Sequence, residues 1–265
     1  MQRILVSDYD FTFNPHFDDK ELNARSLIKN EKAIKRWRDA GNLFVFATGR
    51  SKESFTGDYP KWNDYADYAI VCDGSSIIDN SGRGVYGDCF GDEVAEKIRE
   101  VAREVCSARK HVFISYTEDG EKEDVVPSAN KMVAWTEIAD DYETIRTLLE
   151  EKLGERLDII GYCDITVIEN ENCLPQDNRE NYHHMLNITI RDINKLYGIE
   201  KLIENQLPKI NDAQVITIGD GPNDLPMIMQ YDGYVVERAG RDVKEKVSSS
   251  RLVLDVSALI DRLMN

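Results

Sequence analysis

Short apolar runs that end abruptly in polar residues or glycine recur towards both ends of the chain. Four of them, at residues 4–6, 43–47, 69–72 and 215–218, are followed at once by charged, hydroxyl-bearing or glycine residues. None alternates between apolar and polar positions, which is typical of strands buried on both faces of a parallel sheet. The pattern therefore predicts four buried parallel strands.

Between the first two runs the apolar spacing becomes helical. The residues that recur near this spacing are Leu27, Ile28, Ala33, Ile34 and Trp37. Residues 26–40 are therefore predicted to form a helix, and Gly41 stands where a C-terminal cap is expected. Strand, helix and strand in this order form the βαβ unit of a parallel sheet. We predict an α/β fold with a Rossmann-like parallel-sheet core.

The middle of the chain has a different pattern. Helical spacing occurs over residues 92–109 and 142–153, and short strands are expected at 112–114, 132–135 and 157–168. Paired strands with two helices are typical of an α+β unit with an antiparallel sheet. We predict a core of residues 1–81 and 186–265, divided by an inserted α+β domain at 82–185. Hinges are expected at Gly82, Gly84 and Gly87 and at residues 176–181.

Charge narrows the classes of partner. Lys and Arg total 33 against 49 Asp and Glu, which gives a formal net charge of −16 at pH 7. Such a surface repels phosphate backbones and anionic lipid heads, so neither nucleic acid nor a membrane is an expected partner. A small phosphorylated metabolite is compatible, because a metal ion and a few local cations can bind it. No obligate protein partner is evident from the sequence.

The chain is expected to be cytoplasmic. No segment approaches the roughly 20 apolar residues that span a bilayer, and Asp8 follows the first apolar run too soon for a signal peptide. The 5 cysteines form an odd set without a CxxC pair, which favours reduced thiols.

Residues that carry chemistry follow the predicted strands, and in an open parallel sheet ligands bind at the carboxyl ends of the strands. The residues expected near that edge are Asp8, Asp10, Thr48, Gly49, Asp220, Asn223 and Asp224, with Lys195 opening the helix before the last strand. Several carboxylates at one place repel one another unless a hard cation neutralises them. Mg²⁺ is the expected cofactor, because it binds carboxylates, waters and substrate phosphate.

The same residues stand in motifs that resemble those of haloacid dehalogenase-type phosphatases. Residues 8–12 (DYDFT) match the DxDxT motif, and residues 48–50 (TGR), Lys195 and residues 219–224 (GDGPND) resemble the second, third and fourth motifs. The large insert between the second and third motifs is similar to that of Cof-type sugar-phosphate phosphatases. In that branch Gly usually follows the motif lysine directly, whereas here Leu196, Tyr197 and Gly198 follow. A solvated lysine or a register one turn away therefore stays open.

The resemblance implies a covalent mechanism. Asp8 would be the nucleophile that forms an aspartyl-phosphate, and Asp10 would act as general acid and then general base. The Asp8 side chain, the Asp10 backbone carbonyl and Asp220 would hold Mg²⁺. The phosphate-binding residues that it implies are Thr48, Gly49 and Lys195, and the supporting residues are Thr12, Asn223 and Asp224.

The implied activity is hydrolysis of small phosphate monoesters, sugar phosphates or phosphorylated cofactors, with the inserted domain as a cap. Candidate cap contacts to substrate are Trp135, Tyr162 and His183. Two other functions stay open: a phosphomutase, and a non-catalytic phospho-ligand-binding or signalling module. Asp10 distinguishes the enzymes from the signalling module, because general acid–base chemistry needs a second carboxylate and a receiver domain lacks it.

Overall fold

The structure, a computed structural model, describes residues 2–105, 111–162, 184–208 and 214–265. Its strands are β1 (Arg3–Asp8), β2 (Leu43–Ala47), β3 (Tyr68–Val71), β4 (Ser76–Asp79), β5 (Gly84–Gly87), β6 (His111–Thr117), β7 (Gly120–Lys122), β8 (Lys131–Thr136), β9 (Leu157–Tyr162), β10 (His184–Ile190), β11 (Gln214–Gly219), β12 (Asp232–Val236) and β13 (Leu252–Val253). Its α-helices are α1 (Lys20–Asp39), α2 (Lys52–Asp58), α3 (Gly91–Val105), α4 (Ala139–Leu153), α5 (Lys195–Gln206), α6 (Leu225–Gln230), α7 (Arg241–Lys244) and α8 (Val256–Met264). Among these described helices, none has the length and apolar character needed to cross a membrane.

One compact unit, called the core unit below, comprises Met1–Gly49, Tyr59–Tyr86 and Asn194–Asn265. As far as the chain is described, the strands of its sheet follow the order β13-β12-β11-β1-β2-β3-β4-β5. Neighbours from β13 to β3 pair in parallel, and β4 pairs antiparallel with β3. The apolar runs predicted as buried strands form β1, β2, β3 and β11, so the predicted fold class is confirmed.

The helix between β1 and β2 begins earlier than its apolar spacing predicts. It starts at Lys20 rather than at residue 26 because Asp19 caps it, accepting hydrogen bonds from the N–H groups of Glu21 and Leu22 at 2.9 and 3.1 Å. The buried residues of the helix all lie in its second half. The first turns are largely polar, so the spacing of apolar residues does not indicate where the helix begins. Gly41, with a φ of +84°, follows the end of the helix as predicted.

The other compact unit, called the inserted unit, comprises Arg50–Asp58 and Gly87–Ile193. Its described strands form an antiparallel sheet in the order β7-β6-β8-β10-β9. Helices α3 and α4 share a hydrophobic core with this sheet, to which Ile98, Ile145 and Leu186 contribute fully buried side chains. Antiparallel strands with two packed helices are the α+β arrangement that the sequence indicates.

The boundaries of the two units differ from those expected. Residues 186–190, expected to begin the second half of the core, lie in β10, which pairs with β8 on one side and β9 on the other. The inserted unit therefore extends to Ile193, begins again at Gly87 rather than at residue 82, and includes α2. Residues 186–190 (LNITI) alternate apolar and polar positions, unlike the uninterrupted runs of β1 and β2, and their pairing partners are distant in sequence.

Several sequence predictions lie outside the described residues. These are the second hinge at residues 176–181, the candidate cap contact His183, the end of the helix predicted over 92–109 and the end of the strand predicted over 157–168. The side chain of Tyr162 is likewise not described.

Candidate active site

The carboxyl ends of β1, β2 and β11 meet at one edge of the core unit's sheet. In the sheet register Asp8 pairs with Ala47 and Ser7 pairs with Ile218. Thr48 and Asp220 therefore come just beyond the paired strand ends, on either side of β1. Because β1 lies between two other strands, Asp8 is only 5% exposed. This central edge is where ligands of open α/β sheets bind.

The ammonium group of Lys195 joins two carboxylates in the interior of this site. Its Nζ donates to Asp8 Oδ1 at 2.5 Å and to Asp224 Oδ1 at 2.7 Å. Lys195 is the first residue of α5, and the preceding Asn194 caps that helix by accepting the N–H of Tyr197 at 3.2 Å. Lys195 is 1% exposed, which excludes the solvated helix lysine that the sequence left open.

The loop after β11 is arranged around Asp224. Its Oδ2 accepts the N–H groups of Asp220 and Gly221 at 3.0 and 2.9 Å. A Cβ at Gly219 would lie 2.4 Å from Asp224 Cγ, so this close approach requires glycine. Thr12 donates its hydroxyl to Asp220 Oδ1 at 2.7 Å, which connects this loop to the residues after β1. Asn223 is exposed on the same loop.

Three carboxylates thus share a small volume with one ammonium group. Oxygens of Asp8, Asp220 and Asp224 lie within 4.8 Å of one another. Burial raises the pKa of Asp8 well above its usual range; Asp224 and Asp220 raise it further and Lys195 opposes them. Burial also raises the pKa of Asp220. Burial by itself lowers the pKa of Lys195, but the carboxylates of Asp224 and Asp8 outweigh this and raise it.

This donor set fits a hard divalent cation. Asp224 already accepts hydrogen bonds from Lys195 and two backbone amides, so Asp8 and Asp220 are the carboxylates better placed to bind an ion. A divalent cation between them would offset the burial and repulsion that raise both pKa values. The side chain of Asp10 is not part of this group of carboxylates; its expected ligand atom is the backbone carbonyl.

Thr48 and Gly49 lie against the turn that follows β3. The buried Thr48 donates its N–H to Ile70 O at 2.9 Å, and its carbonyl accepts the N–H of Asp73 at 3.2 Å. A Cβ at Gly49 would lie 2.7 Å from Asp73 Oδ1, and one at Gly74, whose φ is +109°, would lie 2.0 Å from Asn194 O. Both glycines therefore permit close backbone approach. The turn at Asp73 and Gly74 packs between the Thr48 segment and the start of α5.

Asp10 lies on the turn beyond β1. Its side chain is 29% exposed, and its Oδ1 lies 2.8 Å from His16 Nε2. The next residue, Phe11, has a φ of +56°, a left-handed conformation that is unfavourable for a residue with a Cβ. Arg238 stabilises this turn, because its Nε donates to the Phe11 carbonyl and its Nη2 to the Thr12 carbonyl.

Sequence reasoning missed Arg238, Asn194 and His16. Arg238 comes shortly after the apolar end of β12, as Asp8 ends β1, so the strand-end pattern could have indicated it. Asn is a favoured N-terminal capping residue, so Asn194 directly before Lys195 also indicates the start of a helix in the sequence. The contact of His16 with Asp10 forms across an irregular turn, and no periodicity predicts it.

The fold and this acidic, lysine-bridged site define an α/β protein with its chemistry at the carboxyl edge of a parallel sheet. The family model of haloacid dehalogenase-like hydrolases matches residues 17–250. Because the match covers most of the chain, the protein belongs to the haloacid dehalogenase-like hydrolase family. The resemblance inferred from the motifs is therefore confirmed at the level of the family. Comparison with curated proteins gave no match.

Solved structures share the fold over nearly the whole chain. A haloacid dehalogenase-like hydrolase from Bacteroides thetaiotaomicron is 19% identical, with a TM-score of 0.71 over 99% of this chain and 100% of that one. A protein from Thermotoga maritima is 16% identical, with a TM-score of 0.71 over 99% and 97%. A sugar phosphatase of subclass IIB is 16% identical, with a TM-score of 0.62 over 99% and 98%.

Proposed function

We propose that this hydrolase is a Mg²⁺-dependent phosphatase that cleaves small phosphate monoesters through an aspartyl-phosphate. The observation that carries the proposal is the buried group in which Lys195 contacts Asp8 and Asp224, with Asp220 within 4.8 Å. A carboxylate held in a fixed position at the carboxyl edge of the sheet suits nucleophilic attack on phosphorus.

In the first step an oxygen of Asp8 forms a bond to phosphorus as the ester P–O bond breaks. The electron pair of that bond stays on the leaving oxygen, which takes a proton from the carboxyl group of Asp10. In the second step water attacks phosphorus and gives its proton to Asp10, while the bond from Asp8 to phosphorus breaks and inorganic phosphate leaves. Asp10 thus ends the cycle protonated, as it began.

Lys195 is the neighbour that favours the ionised form of Asp8, the proposed nucleophile. Burial raises the pKa of Asp8, and the Lys195 ammonium counters that shift through direct contact. We assign phosphate binding to Lys195, Thr48 and the Gly49 amide, which lie at or next to the same strand ends. Thr12 orients Asp220 through its 2.7 Å hydrogen bond.

Magnesium would be held by Asp8, Asp220 and the Asp10 backbone carbonyl. When bound, it supplies positive charge that orients the phosphoryl group and shields it from the Asp8 carboxylate. Asp224 holds the backbone amides of Asp220 and Gly221, and so keeps Asp220 directed at the site.

For the substrate we propose a sugar phosphate or a phosphorylated cofactor. The net charge of −16 disfavours polyanionic substrates but not a small monoester neutralised locally. Likeness in fold to a subclass IIB sugar phosphatase supports the choice of sugar phosphates for a first substrate panel. A cytoplasmic location remains a prediction from the cysteine pattern.

The test is hydrolysis of p-nitrophenyl phosphate and a panel of sugar phosphates, with Mg²⁺ and with EDTA. The Asp8→Asn variant is measured in parallel. Asp18→Asn is the matched control, because it makes the same chemical change at an exposed position ten residues further along the same segment. Activity that needs Mg²⁺ and Asp8 but not Asp18 supports the proposal. Full activity of Asp8→Asn contradicts it, as does absence of hydrolysis across the panel.

A further inference from the structure

The contact between His16 and Asp10 is a feature that the four motifs do not include. His16 Nε2 lies 2.8 Å from Asp10 Oδ1. When Asp10 is ionised, its carboxylate can only accept hydrogen bonds, so in that state Nε2 carries the hydrogen in this contact. His16 therefore constrains one of the two oxygens of the carboxyl group to which the proposed mechanism assigns proton transfer.

The chain around His16 is folded so that this contact is maintained. Asn14 N donates to the Tyr9 carbonyl at 2.8 Å and closes the turn. Asn14 Oδ1 accepts Asn23 Nδ2 at 3.1 Å, which ties the turn to α1. His16 itself has a φ of +52°, a backbone conformation that residues with a Cβ rarely adopt. Without a compensating role, this position would favour glycine or asparagine.

The imidazole ring of His16 also contacts an aromatic ring. The rings of Phe11 and His16 have centroids 5.0 Å apart. Phe11 is the strained residue whose carbonyl accepts a hydrogen bond from Arg238. Asp10, Phe11 and His16 thus form one small assembly on the turn after β1.

We propose that His16 is a positioning residue that orients the Asp10 carboxyl group for proton transfer. With Oδ1 bound by His16 Nε2, the transferable proton is carried on Oδ2, the oxygen that then approaches the leaving group. This inference rests on the proposed phosphatase function. It does not depend on a change in the charge of His16.

The contact is partly exposed, at 31% for the His16 side chain and 29% for that of Asp10, so its contribution to folding stability is small. Loss of the contact should therefore change kcat/KM rather than the stability of the fold. A misoriented general acid matters most for esters whose leaving group is a strong base, and least for p-nitrophenolate, which leaves without protonation.

The experiment compares His16→Ala and His16→Gln with the unmodified protein. Each is assayed with p-nitrophenyl phosphate and with a poorer leaving group, phenyl phosphate or the best sugar phosphate of the panel. We expect His16→Ala to lower kcat/KM about 10-fold for the poorer leaving group and much less for p-nitrophenyl phosphate. Glutamine offers an amide N–H at similar reach, so His16→Gln should retain most of the kcat/KM that His16→Ala loses. Asp18→Ala is the control for the loop, and thermal unfolding verifies that each variant folds.

Equal losses of kcat/KM for both esters would show a merely structural role and overturn the proposal. So would a His16→Gln variant that is as impaired as His16→Ala. Failure of the proposed function gives a different result: the unmodified protein then hydrolyses neither ester. In that case both the function and this inference fall.

Discussion

Two carboxylates of the core unit are buried to the same extent but have different partners. Asp8 is 5% exposed and Glu31 is 6% exposed. Asp8 contacts one ammonium group and has two further carboxylates near it. Glu31 accepts the hydroxyl groups of Tyr59 and Tyr65 at 2.8 and 3.1 Å and pairs with Lys61 at 2.8 Å.

The two surroundings have opposite consequences for stability. The hydroxyl groups of Tyr59 and Tyr65 and the ammonium group of Lys61 all donate to Glu31, so its buried charge is compensated. These contacts connect α1 to residues 59–65. Burial and the Glu31 carboxylate raise the pKa of Tyr59, which keeps its hydroxyl protonated as a donor. Around Asp8 like charges accumulate, and its raised pKa shows that ionisation opposes folding there. A buried site that one ammonium group compensates only in part is typical of function rather than of structure.

The largest expected effect is loss of activity without loss of stability in Asp8→Asn. Removing the proposed nucleophile should lower kcat at least about 10⁴-fold, as in enzymes that form a covalent intermediate. In EDTA the free energy of unfolding should not fall, because the ionised Asp8 opposes folding at neutral pH and asparagine still accepts from Lys195. Phosphatase assays and urea unfolding measure the two quantities. A destabilised but active variant would remove the contrast with Glu31.

The next largest effect is expected for Lys195→Met, which should lower both the activity and the free energy of unfolding. Methionine fills the space but leaves the buried Asp8 and Asp224 without their cation, which should lower the free energy of unfolding by about 3–5 kcal/mol. Activity should fall as well, because Lys195 contacts Asp8, the proposed nucleophile. Urea unfolding in EDTA measures the loss, and added Mg²⁺ should recover part of it. Lys201→Met on the same helix is the control. A variant as stable as the unmodified protein would show that the ammonium group compensates little.

For Glu31→Gln we expect the reverse of the Asp8 result. The amide loses the ion pair with Lys61 and one acceptor oxygen for the tyrosine hydroxyls, so the free energy of unfolding should fall by about 1–3 kcal/mol. The activity of the folded protein should be unchanged, because the residue is outside the site. Chemical unfolding and a phosphatase assay are compared with Glu21→Gln, an exposed change on the same helix. An unchanged stability would argue that the Glu31 contacts are not compensating.

The smallest effect concerns a third carboxylate, Asp255, which caps α8. Burial opposes its ionisation, but hydrogen bonds from Ser257, Ala258 and Lys29 outweigh burial and lower its pKa below the ordinary 3.8. A lowered pKa stabilises the fold above the ordinary value, and this stabilisation is lost as pH falls through the folded-state pKa. Asp255→Asn should therefore lower the free energy of unfolding by about 1 kcal/mol at neutral pH. Its difference from the unmodified protein should shrink below about pH 4. A difference independent of pH would contradict this assignment.

The sequence predicts much of the site, because its residues stand at the ends of apolar runs. Asp8 ends β1, and Thr48 and Asp220 directly follow β2 and β11. The burial of these strands is visible as runs of apolar sequence, and parallel strands place their carboxyl ends at one edge. The order of pairing across β2, β1 and β11 then brings them together. At these positions the local sequence pattern and the strand order both place the side chains at the same edge of the sheet.

Other features depended on partners far away in the chain. Residues 186–190 (LNITI) alternate apolar and polar positions and pair with β8 and β9, so the boundary of the inserted unit lies at Ile193. Lys195 was uncertain from sequence because the residue that usually follows it is absent, and only its burial between two carboxylates located it.

The sequence by itself determined the class of fold, the family and the acidic residues at the strand ends, because burial periodicity and short motifs are local properties. Only the tertiary structure decided which sheet β10 joins, which carboxylates lie within reach of Lys195, and that Arg238 and His16 support the turn after β1. Those contacts join residues separated by turns or by most of the chain. Their energies depend on distance and burial, which no local pattern specifies.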